Sequence, residues 1–213
     1  MGRMKVFVDG QEGTTGLEIN DRLQKRNDTV ILTIDPEKRK DPGERSKYLN
    51  QADVVFLCLP DDAAREAVSL VQNPSTRVID GSTAHRTLDD WAYGIPELSK
   101  EHRTKIENSK RVSVPGCFAT GFNMLVYPLV KEGFIPPGYP VSCHSVTGYS
   151  GGGKKLIGFF ESEEHRNTTG SPCFYALKLQ HKHLPEMKKH SGLFDKPLCF
   201  FISGRCLCWS FSA

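Results

Sequence analysis

The residue of greatest chemical interest is Cys117, which lies in the run Val-Pro-Gly-Cys-Phe-Ala-Thr-Gly at positions 114–121. A Pro-Gly turn precedes the cysteine, and apolar residues with helical spacing follow it. These apolar residues are Phe118, Phe122, Leu125, Val126 and Leu129. The pattern places the sulfur in the first turn of a helix, where unpaired N–H groups and the helix dipole favour a thiolate over a thiol. A thiolate there is a nucleophile for an acyl group, whereas the alternative is a buried structural cysteine.

A pair of histidines forms a second cluster, in the run His-Lys-His-Leu-Pro-Glu at positions 181–186. At alternate positions of an extended segment, His181 and His183 point to the same side. Either one could then serve as the acid/base partner of Cys117. A His-x-His pair is also typical of metal sites, and two surface histidines are the remaining alternative.

The elements that position these residues begin with a short apolar strand at 5–9 and a glycine-rich turn. The turn contains Gly10, Gly13, Thr14, Thr15 and Gly16, and Leu17, Ile19 and Leu23 are available for the buried side of the helix after it. A strand, a glycine turn and a helix N-terminus together predict a phosphate cradle for a dinucleotide. The Gly-x-x-Gly-x-x-Gly spacing differs from the usual Gly-x-Gly-x-x-Gly.

Strands and helices then continue to alternate. We expect strands at 30–34, 54–59 and 78–80, a helix from an Asp41-Pro42 cap towards Asn50, and a helix at 61–71. This alternation predicts an α/β fold with a Rossmann-type, doubly wound parallel sheet.

Two residues after the second strand could distinguish between nicotinamide cofactors. Asp35 stands where an acidic side chain would bind a ribose 2′-hydroxyl of NAD, or it is a turn residue before Pro36. Arg39, between Lys38 and Lys40, could instead hold a 2′-phosphate. The residues alone leave this choice open.

Two further segments could contact a substrate. Arg86 ends the run 80–86 after the fourth strand, and its planar guanidinium suits a phosphate or a carboxylate unless it is simply solvated. A strand is expected at 141–147, followed by the glycine-rich segment 148–153, whose N–H groups could hold a phosphate if it is not a flexible linker.

Bulk properties exclude several classes of function. The net charge of +3 is too small to indicate a nucleic-acid partner, and no apolar run reaches the length of a membrane span. We expect the N-terminus to lead straight into a strand, without a signal peptide. Seven cysteines without regular spacing indicate a reducing compartment, so we expect a cytoplasmic protein.

Taken together, these segments resemble the N-acetyl-gamma-glutamyl-phosphate reductase family, in particular its shorter, type 2 branch. The resemblance rests on the Cys117 run, on 80–86, 93–98, 147–153 and 181–186 in the same order, and on the glycine turn. It extends over roughly 4–198. Aspartate-semialdehyde dehydrogenase is a more distant relative with the same cysteine chemistry and is the alternative.

The resemblance implies an NADP-dependent enzyme of arginine biosynthesis that reduces N-acetyl-L-glutamyl 5-phosphate to the 5-semialdehyde and releases phosphate. Cys117 would form a thioester, with His183 favoured over His181 as the acid/base. Arg39 would bind the 2′-phosphate of NADP, and Arg86, Ser150 and Gly151 would contact the substrate. The family also implies a small-molecule substrate, a homo-oligomer and no bound metal.

The resemblance stops at about Leu198. We therefore expect an NADP-binding Rossmann domain at 1–115, a partial α+β catalytic domain at 116–198 and an aberrant tail at 199–213. Cys199, Cys206 and Cys208 lie in that tail with a spacing that fits no standard zinc site. The alternative to an active reductase is an inactive, truncated fragment that binds NADP(H) at most.

Overall fold

The computed structural model describes residues 2–10, 14–165 and 172–204, with the backbone alone for 14, 15, 152–155 and 173. The chain divides into two compact units, which are described separately: unit 1 is Met1–Pro115 and unit 2 is Gly116–Ala213.

Unit 1 contains a six-stranded sheet with helices in the connections between strands. Its strands are β1 (Met4–Asp9), β2 (Thr29–Leu32), β3 (Val54–Leu57), β4 (Arg77–Asp80), β5 (Ala92–Tyr93) and β6 (Arg111–Ser113). Its helices are α1 (Thr14–Gln24), α2 (Pro42–Gln51), α3 (Asp61–Leu70) and α4 (Lys100–Asn108). The sheet order is β2-β1-β3-β4-β6-β5, and all of its strand pairs are parallel. The predicted Rossmann-type sheet is confirmed.

The two faces of this sheet bury separate cores. Phe7 packs with residues of α2 and α3, whereas Val6 and Val8 pack with Leu23 of α1 on the other face. Because alternate residues of a strand point to opposite faces, the buried part of β1 is apolar from Val6 to Val8, and buried Asp9 follows at its end. Leu17 was expected to be buried, but its side chain is 52% exposed.

Several local predictions are confirmed and some are corrected. Asp41 caps α2 by accepting the N–H of Glu44, and Pro42 occupies the first turn. The second strand was expected at 30–34 but is found at Thr29–Leu32, and β5 was missed because two residues carry no periodic pattern.

Unit 2 contains one long helix, two short helices and a three-stranded sheet. The helices are α5 (Cys117–Lys131), α6 (Gly153–Glu161) and α7 (Leu184–Ser191). The strands are β7 (Ser142–Gly148), β8 (Cys173–Tyr175) and β9 (Leu198–Gly204), in the order β7-β9-β8. One-turn 3₁₀ helices lie at Tyr149–Gly152 and Glu163–His165.

The central strand of this sheet, β9, pairs in parallel with β7 and antiparallel with β8. The segment from 199 that we separated from the family by its sequence therefore continues as strand to Gly204, and Phe201 is 1% exposed in the core. Residues 205–213, including Cys206 and Cys208, lie outside the described residues.

Candidate active site

Cys117 is the first residue of α5, as the Pro-Gly turn predicted. Gly116 before it is extended (φ −71°, ψ 148°) and has no side chain with which to cap the helix. The thiol of Cys117 is free and exposed. The thiol therefore lies at the first turn of the helix, whose N–H groups have no partner within the helix.

The imidazole of His183 packs directly on Gly116. A Cβ at position 116 would overlap the ring, with Cε1 only 2.6 Å away. Only glycine allows this approach, which brings His183 to the residue adjoining Cys117. His183 itself is 4% exposed.

Glu186 fixes the same helix N-terminus from α7. Its Oε2 accepts the N–H of Gly116 at 3.1 Å, and the side chain is 1% exposed. A buried carboxylate on a backbone N–H is a strong, charge-assisted hydrogen bond. Together, Glu186 and His183 hold the N-termini of α5 and α7 against each other. We did not predict this role for Glu186, although it belongs to the run 181–186.

His181 is held in one orientation by the backbone of His183. The N–H of His183 donates to Nδ1 of His181 at 3.2 Å, so this neutral imidazole carries its proton on Nε2. Burial and then the charge of Lys182 lower the pKa of His181 to about 4. His181 is therefore a neutral hydrogen-bond donor at neutral pH.

The local backbone differs from the extended segment that we expected for the two histidines. Residues 181–183 form a turn into α7, with the N–H of Leu184 bonded to the carbonyl of His181. The two rings are 4.6 Å apart and nearly perpendicular, at 86°. The prediction that they share one side of a strand is wrong, because His183 has helical angles at the start of α7.

Aromatic rings pack against His181 and His183. Phe201 of β9 stacks on Phe118 at 4.5 Å and lies 4.3 Å from the ring of His181. Phe118 presents its edge or face to both histidines at 5.7–5.8 Å. Apolar rings on these sides reduce the solvation of the imidazoles, which accounts for the lowered pKa of His181.

Tyr175, at the end of β8, is a site residue that sequence reasoning missed. Burial raises the pKa of its hydroxyl, and negative charge on Cys117 raises it further. The phenol therefore keeps its proton near the sulfur. The turn after it holds Ala176 (φ 56°) and Leu179 (φ 54°) in left-handed conformations that non-glycine residues rarely adopt.

A cavity of about 470 Å³ opens between α5 and β7 beside the thiol. Its lining includes Cys117, Thr120 and Leu125 from α5, and Cys143, Ser145 and Thr147 from β7. Leu125 and Leu129, which we expected on the apolar side of the helix, are 71% and 40% exposed, while Phe122 and Val126 are buried.

Ser150 and Gly151 lie in the 3₁₀ turn that follows β7. A Cβ at Gly151 would come within 3.1 Å of Oγ1 of Thr147, which lines the cavity. The structure thus places Gly151 beside Thr147, and neither Ser150 nor Gly151 itself lines the cavity. Their contact with substrate stays a prediction.

Unit 1 has a cavity of its own, of about 360 Å³, at the carboxyl end of β1. Gly10, Arg39, Lys40 and Cys58 are among its lining residues. Gly10 has φ +91°, and a Cβ there would collide with the carbonyl group of Cys58, so this turn requires glycine. The cavity lies where the strand order changes direction between β1 and β3, the usual ligand site of such sheets.

The rest of the predicted cradle is described in part. Gly13 lies outside the described residues, Thr14 and Thr15 begin the backbone of α1, and Gly16 is buried within it. Asp35 accepts the N–H of Glu37 at 3.0 Å, as a turn residue does.

A buried ion pair supports this cavity and was not predicted. Asp9, at the end of β1, accepts hydrogen bonds from Nε and Nη2 of Arg45 at 3.1 and 2.9 Å, and Arg45 also reaches Glu66 at 3.0 Å. Burial raises the pKa of Asp9, and Arg45 opposes that rise. Asp9 and Arg45 are 36 positions apart, so the local sequence pattern could not predict their contact.

Arg86, which we predicted to contact the substrate, donates hydrogen bonds to backbone carbonyl groups of unit 1. Its Nε donates to the carbonyl of Val114 at 2.8 Å and Nη2 donates to that of Gly81 at 3.1 Å. The loop containing it is organised by Asp80, which accepts bonds from His85 and from the hydroxyl of Ser82 at 2.6 Å each. A substrate contact by Arg86 stays a prediction.

The described residues contain neither a candidate membrane span nor a candidate metal cluster. No helix there is both long and apolar enough to cross a membrane. No cluster of three or more His, Cys, Asp or Glu side chains there could hold a metal ion.

Both units match family models. The model "Semialdehyde dehydrogenase, NAD binding domain" matches residues 5–106, and "Semialdehyde dehydrogenase, dimerisation domain" matches residues 117–201. Among solved structures, aspartate semialdehyde dehydrogenase II of Vibrio cholerae, complexed with ASA, has a TM-score of 0.66 at 14% identity over 97% of this chain and 72% of that chain. Aspartate semialdehyde dehydrogenase with NADP from Candida albicans has a TM-score of 0.62 at 16% identity, over 97% and 69%. These likenesses show the fold.

Curated relatives are much more similar in sequence. N-acetyl-gamma-glutamyl-phosphate reductase 2 of Pseudomonas putida is 49% identical over 91% of this chain and 61% of its own length. The N-acetyl-gamma-glutamyl-phosphate reductase of Burkholderia cenocepacia is 49% identical over 92% and 62%. The chain thus spans about three fifths of the length of the curated relatives it matches. It belongs to the semialdehyde dehydrogenase family, in which these relatives are N-acetyl-gamma-glutamyl-phosphate reductases.

Proposed function

We propose that this chain carries the catalytic machinery of an N-acetyl-gamma-glutamyl-phosphate reductase of arginine biosynthesis. The reaction is the NADPH-dependent reduction of N-acetyl-L-glutamyl 5-phosphate to N-acetyl-L-glutamate 5-semialdehyde with release of phosphate. The observation that carries the proposal is the exposed thiol of Cys117 at the start of α5, with His183 packed on the preceding glycine. The names of the curated relatives supply the substrate.

The first step is attack by the Cys117 thiolate on the carbonyl carbon of the acyl phosphate. The C–S bond forms, the bond from carbon to the phosphate oxygen breaks, and phosphate leaves with that electron pair. The product is a thioester on Cys117. Cys117 is the first residue of α5, where its thiol is exposed to an incoming acyl phosphate.

The two histidines have different parts in this proposal. His181 holds its proton on Nε2 and has a pKa of about 4, so it serves as a neutral donor that orients substrate. His183, on Gly116, is the acid/base: it takes a proton from the thiol before attack. After reduction of the thioester to a hemithioacetal, the C–S bond breaks as the carbonyl of the aldehyde forms, and His183 returns the proton to the departing sulfur. Tyr175 keeps its hydroxyl proton and is a second donor near the sulfur.

The cavity of unit 1 fits NADPH. Gly10 lets the turn after β1 lie against the backbone of β3, and Arg39 and Lys40 supply positive charge where a 2′-phosphate would lie. Gly13, Thr14, Thr15 and Gly16 would face the pyrophosphate at the start of α1. Bound NADPH supplies the hydride that reduces the thioester.

Ser150 and Gly151, in the turn after β7, are our candidates for contact with the phosphate of the substrate, and Gly151 lies beside Thr147 of the cavity lining. Arg86 of unit 1 is a further candidate, on the resemblance alone. The match of unit 2 to a dimerisation domain supports a homo-oligomer. We propose a small-molecule substrate, a cytoplasmic location and no nucleic-acid or membrane partner.

The test is the reverse reaction on the full chain and on its Cys117→Ser variant. N-acetylglutamate 5-semialdehyde, phosphate and NADP⁺ are mixed, and the absorbance of NADPH is followed. We expect turnover in the chain and loss of it in the variant, while NADPH binding, measured by fluorescence, is equal in both. Turnover that survives in the variant contradicts the role of Cys117.

The same experiment separates the alternatives. A chain that binds NADPH but does not catalyse the reaction is an inactive NADP(H)-binding fragment. This outcome has to be tested because the chain matches only about three fifths of the length of its curated relatives. Turnover with aspartate semialdehyde in place of the glutamate compound would identify the related dehydrogenase activity.

A further inference from the structure

Two cysteines in unit 2 face each other across the sheet. Cys143 of β7 and Cys199 of β9 are paired residues in a seven-residue parallel register, Ser142↔Leu198 to Gly148↔Gly204. Neighbouring strands lie about 4.8 Å apart, and paired residues point to the same face. That spacing is within the range of roughly 4.4–6.8 Å that a disulfide spans between Cα atoms.

The two thiols differ in access. Cys199 is 3% exposed, and its Sγ lies 3.7 Å from Sδ of Met187 in the core. Cys143 is half-buried and lines the cavity of about 470 Å³. A small reagent can therefore reach Cys143 through the cavity, whereas Cys199 is reached only through Cys143.

The thiols also differ in acidity. The hydrogen bond from Cys199 lowers the pKa of Cys143, and Ser145, at 3.4 Å, and His144 act in the same direction against burial. The same hydrogen bond, and burial, raise the pKa of Cys199. Cys143, the accessible thiol, is therefore the one that ionises more readily, and Cys199 stays protonated beside it. This is the arrangement of an attacking and a resolving cysteine.

We propose that Cys143 and Cys199 form a peroxide-reactive dithiol that closes into a disulfide between β7 and β9. The Cys143 thiolate attacks one oxygen of hydrogen peroxide, the O–O bond breaks, and hydroxide leaves, which gives a sulfenic acid. The sulfur of Cys199 then attacks the sulfur of Cys143, the S–S bond forms, and the sulfenic oxygen leaves as water with the Cys199 proton. The two thiols lose two electrons, and the peroxide is reduced to two water molecules.

This site is separate from the proposed thioester chemistry. Cys117 is at a helix N-terminus with no cysteine paired to it in a strand, although it lines the same cavity. Its oxidation would stop at the sulfenic or sulfinic stage or recruit another thiol. The dithiol proposal therefore stands whether or not the chain is a reductase.

The test oxidises the full chain and its Cys117→Ser variant with limiting hydrogen peroxide, blocks free thiols by alkylation and maps linked peptides by mass spectrometry. We expect one reducible cross-link between the peptides of 143 and 199 in both proteins, which dithiothreitol removes. In Cys143→Ser the cross-link is lost and Cys199 stays a thiol. In Cys199→Ala, Cys143 advances to the sulfinic acid.

Other outcomes overturn the proposal, and the first two need no variant. A cross-link from Cys143 to Cys117, Cys173, Cys206 or Cys208 assigns the partner elsewhere. A Cys143 that remains a thiol after Cys117 has been consumed shows that the cavity does not expose it to peroxide. Sulfenic acid that forms on Cys199 in Cys143→Ser shows that Cys143 is not needed as the attacking thiol.

Discussion

The contact between His183 and Gly116 leads to a sharp prediction for Gly116→Ala. The backbone of Gly116 is extended, at φ −71° and ψ 148°, so alanine fits there without backbone strain. The whole effect must come from the new methyl group. It would overlap the imidazole, of which Cε1 is 2.6 Å from the Cβ position, whereas ordinary contact begins at 3.4 Å.

The ring of His183 must therefore retreat by about 1 Å, or α7 must move with it. Neither is easy, because Glu186 of α7 binds the N–H of Gly116 and His183 is almost fully buried. Overpacking of this kind costs about 1–3 kcal/mol of unfolding free energy. A displacement of about 1 Å between catalytic groups also costs about 100-fold in rate.

The matched control is Gly121→Ala in the same helix. A Cβ at Gly121 meets nothing within 4 Å, so alanine should stabilise α5 by about 0.5–1 kcal/mol. Urea unfolding followed by circular dichroism should thus shift in opposite directions for the two variants. The rate of alkylation of Cys117 by iodoacetamide as a function of pH gives a second readout, with Cys117→Ser as the blank.

The reasoning is refuted if Gly116→Ala unfolds at the same urea concentration as the unchanged protein and leaves the pH profile of alkylation as it was. It is also refuted if both alanine variants are destabilised alike, since a general intolerance of α5 to alanine would then explain the result. A crystal structure of Gly116→Ala with an unmoved His183 would have the same meaning.

Three further predictions concern stability. Arg45→Ala should cost about 3–5 kcal/mol in urea unfolding, because it leaves Asp9 buried without its partner. Arg26→Ala, whose ion pair is exposed to solvent, should have a much smaller effect, and equal losses in the two variants would contradict the argument. Because the pKa of His181 falls from 6.5 to about 4 on folding, the unfolded chain binds its proton first as pH falls. The unfolding free energy should therefore decrease between those two pH values, and less so in His181→Gln, with a proton NMR titration midpoint near 4. The proposed disulfide between β7 and β9 closes a loop of about 55 residues and should raise the unfolding free energy by at most about 4 kcal/mol, measured in urea with and without dithiothreitol.

Local sequence patterns predicted most of unit 1. Alternating strands and helices, the Asp41-Pro42 cap and the start of α5 at Cys117 all depend on neighbouring residues, and the structure contains each of them. Strand ends shifted by one or two residues because apolar runs extend beyond the last paired residue, as at Cys58 and Leu59 after β3.

The surroundings of Cys117 could not be predicted in the same way. His183 and Glu186 reach Gly116 across almost 70 residues, and Phe201 reaches Phe118 across a still longer span. Such contacts depend on how α7 and β9 pack, and the spacing of apolar residues along the sequence does not predict that packing. The expectation for the histidines failed for a related reason: period-two reasoning assumes a strand, but Pro185 favours the first turn of a helix.

The position of Phe201 has a consequence for the order in which the chain can acquire its structure during synthesis. It lies in β9, the central strand of its sheet and the last described element, and its ring supports both Phe118 and His181. Every strand of unit 1 precedes Cys117, so that unit can fold as soon as it leaves the ribosome. The surroundings of the thiol, by contrast, assemble only after residue 201 has emerged, and parallel pairing of β7 with β9 across a long connection is slow to form. A nascent chain that has emerged from the ribosome as far as α5 but not as far as β9 would therefore contain a folded unit 1 and a Cys117 whose aromatic surroundings are incomplete.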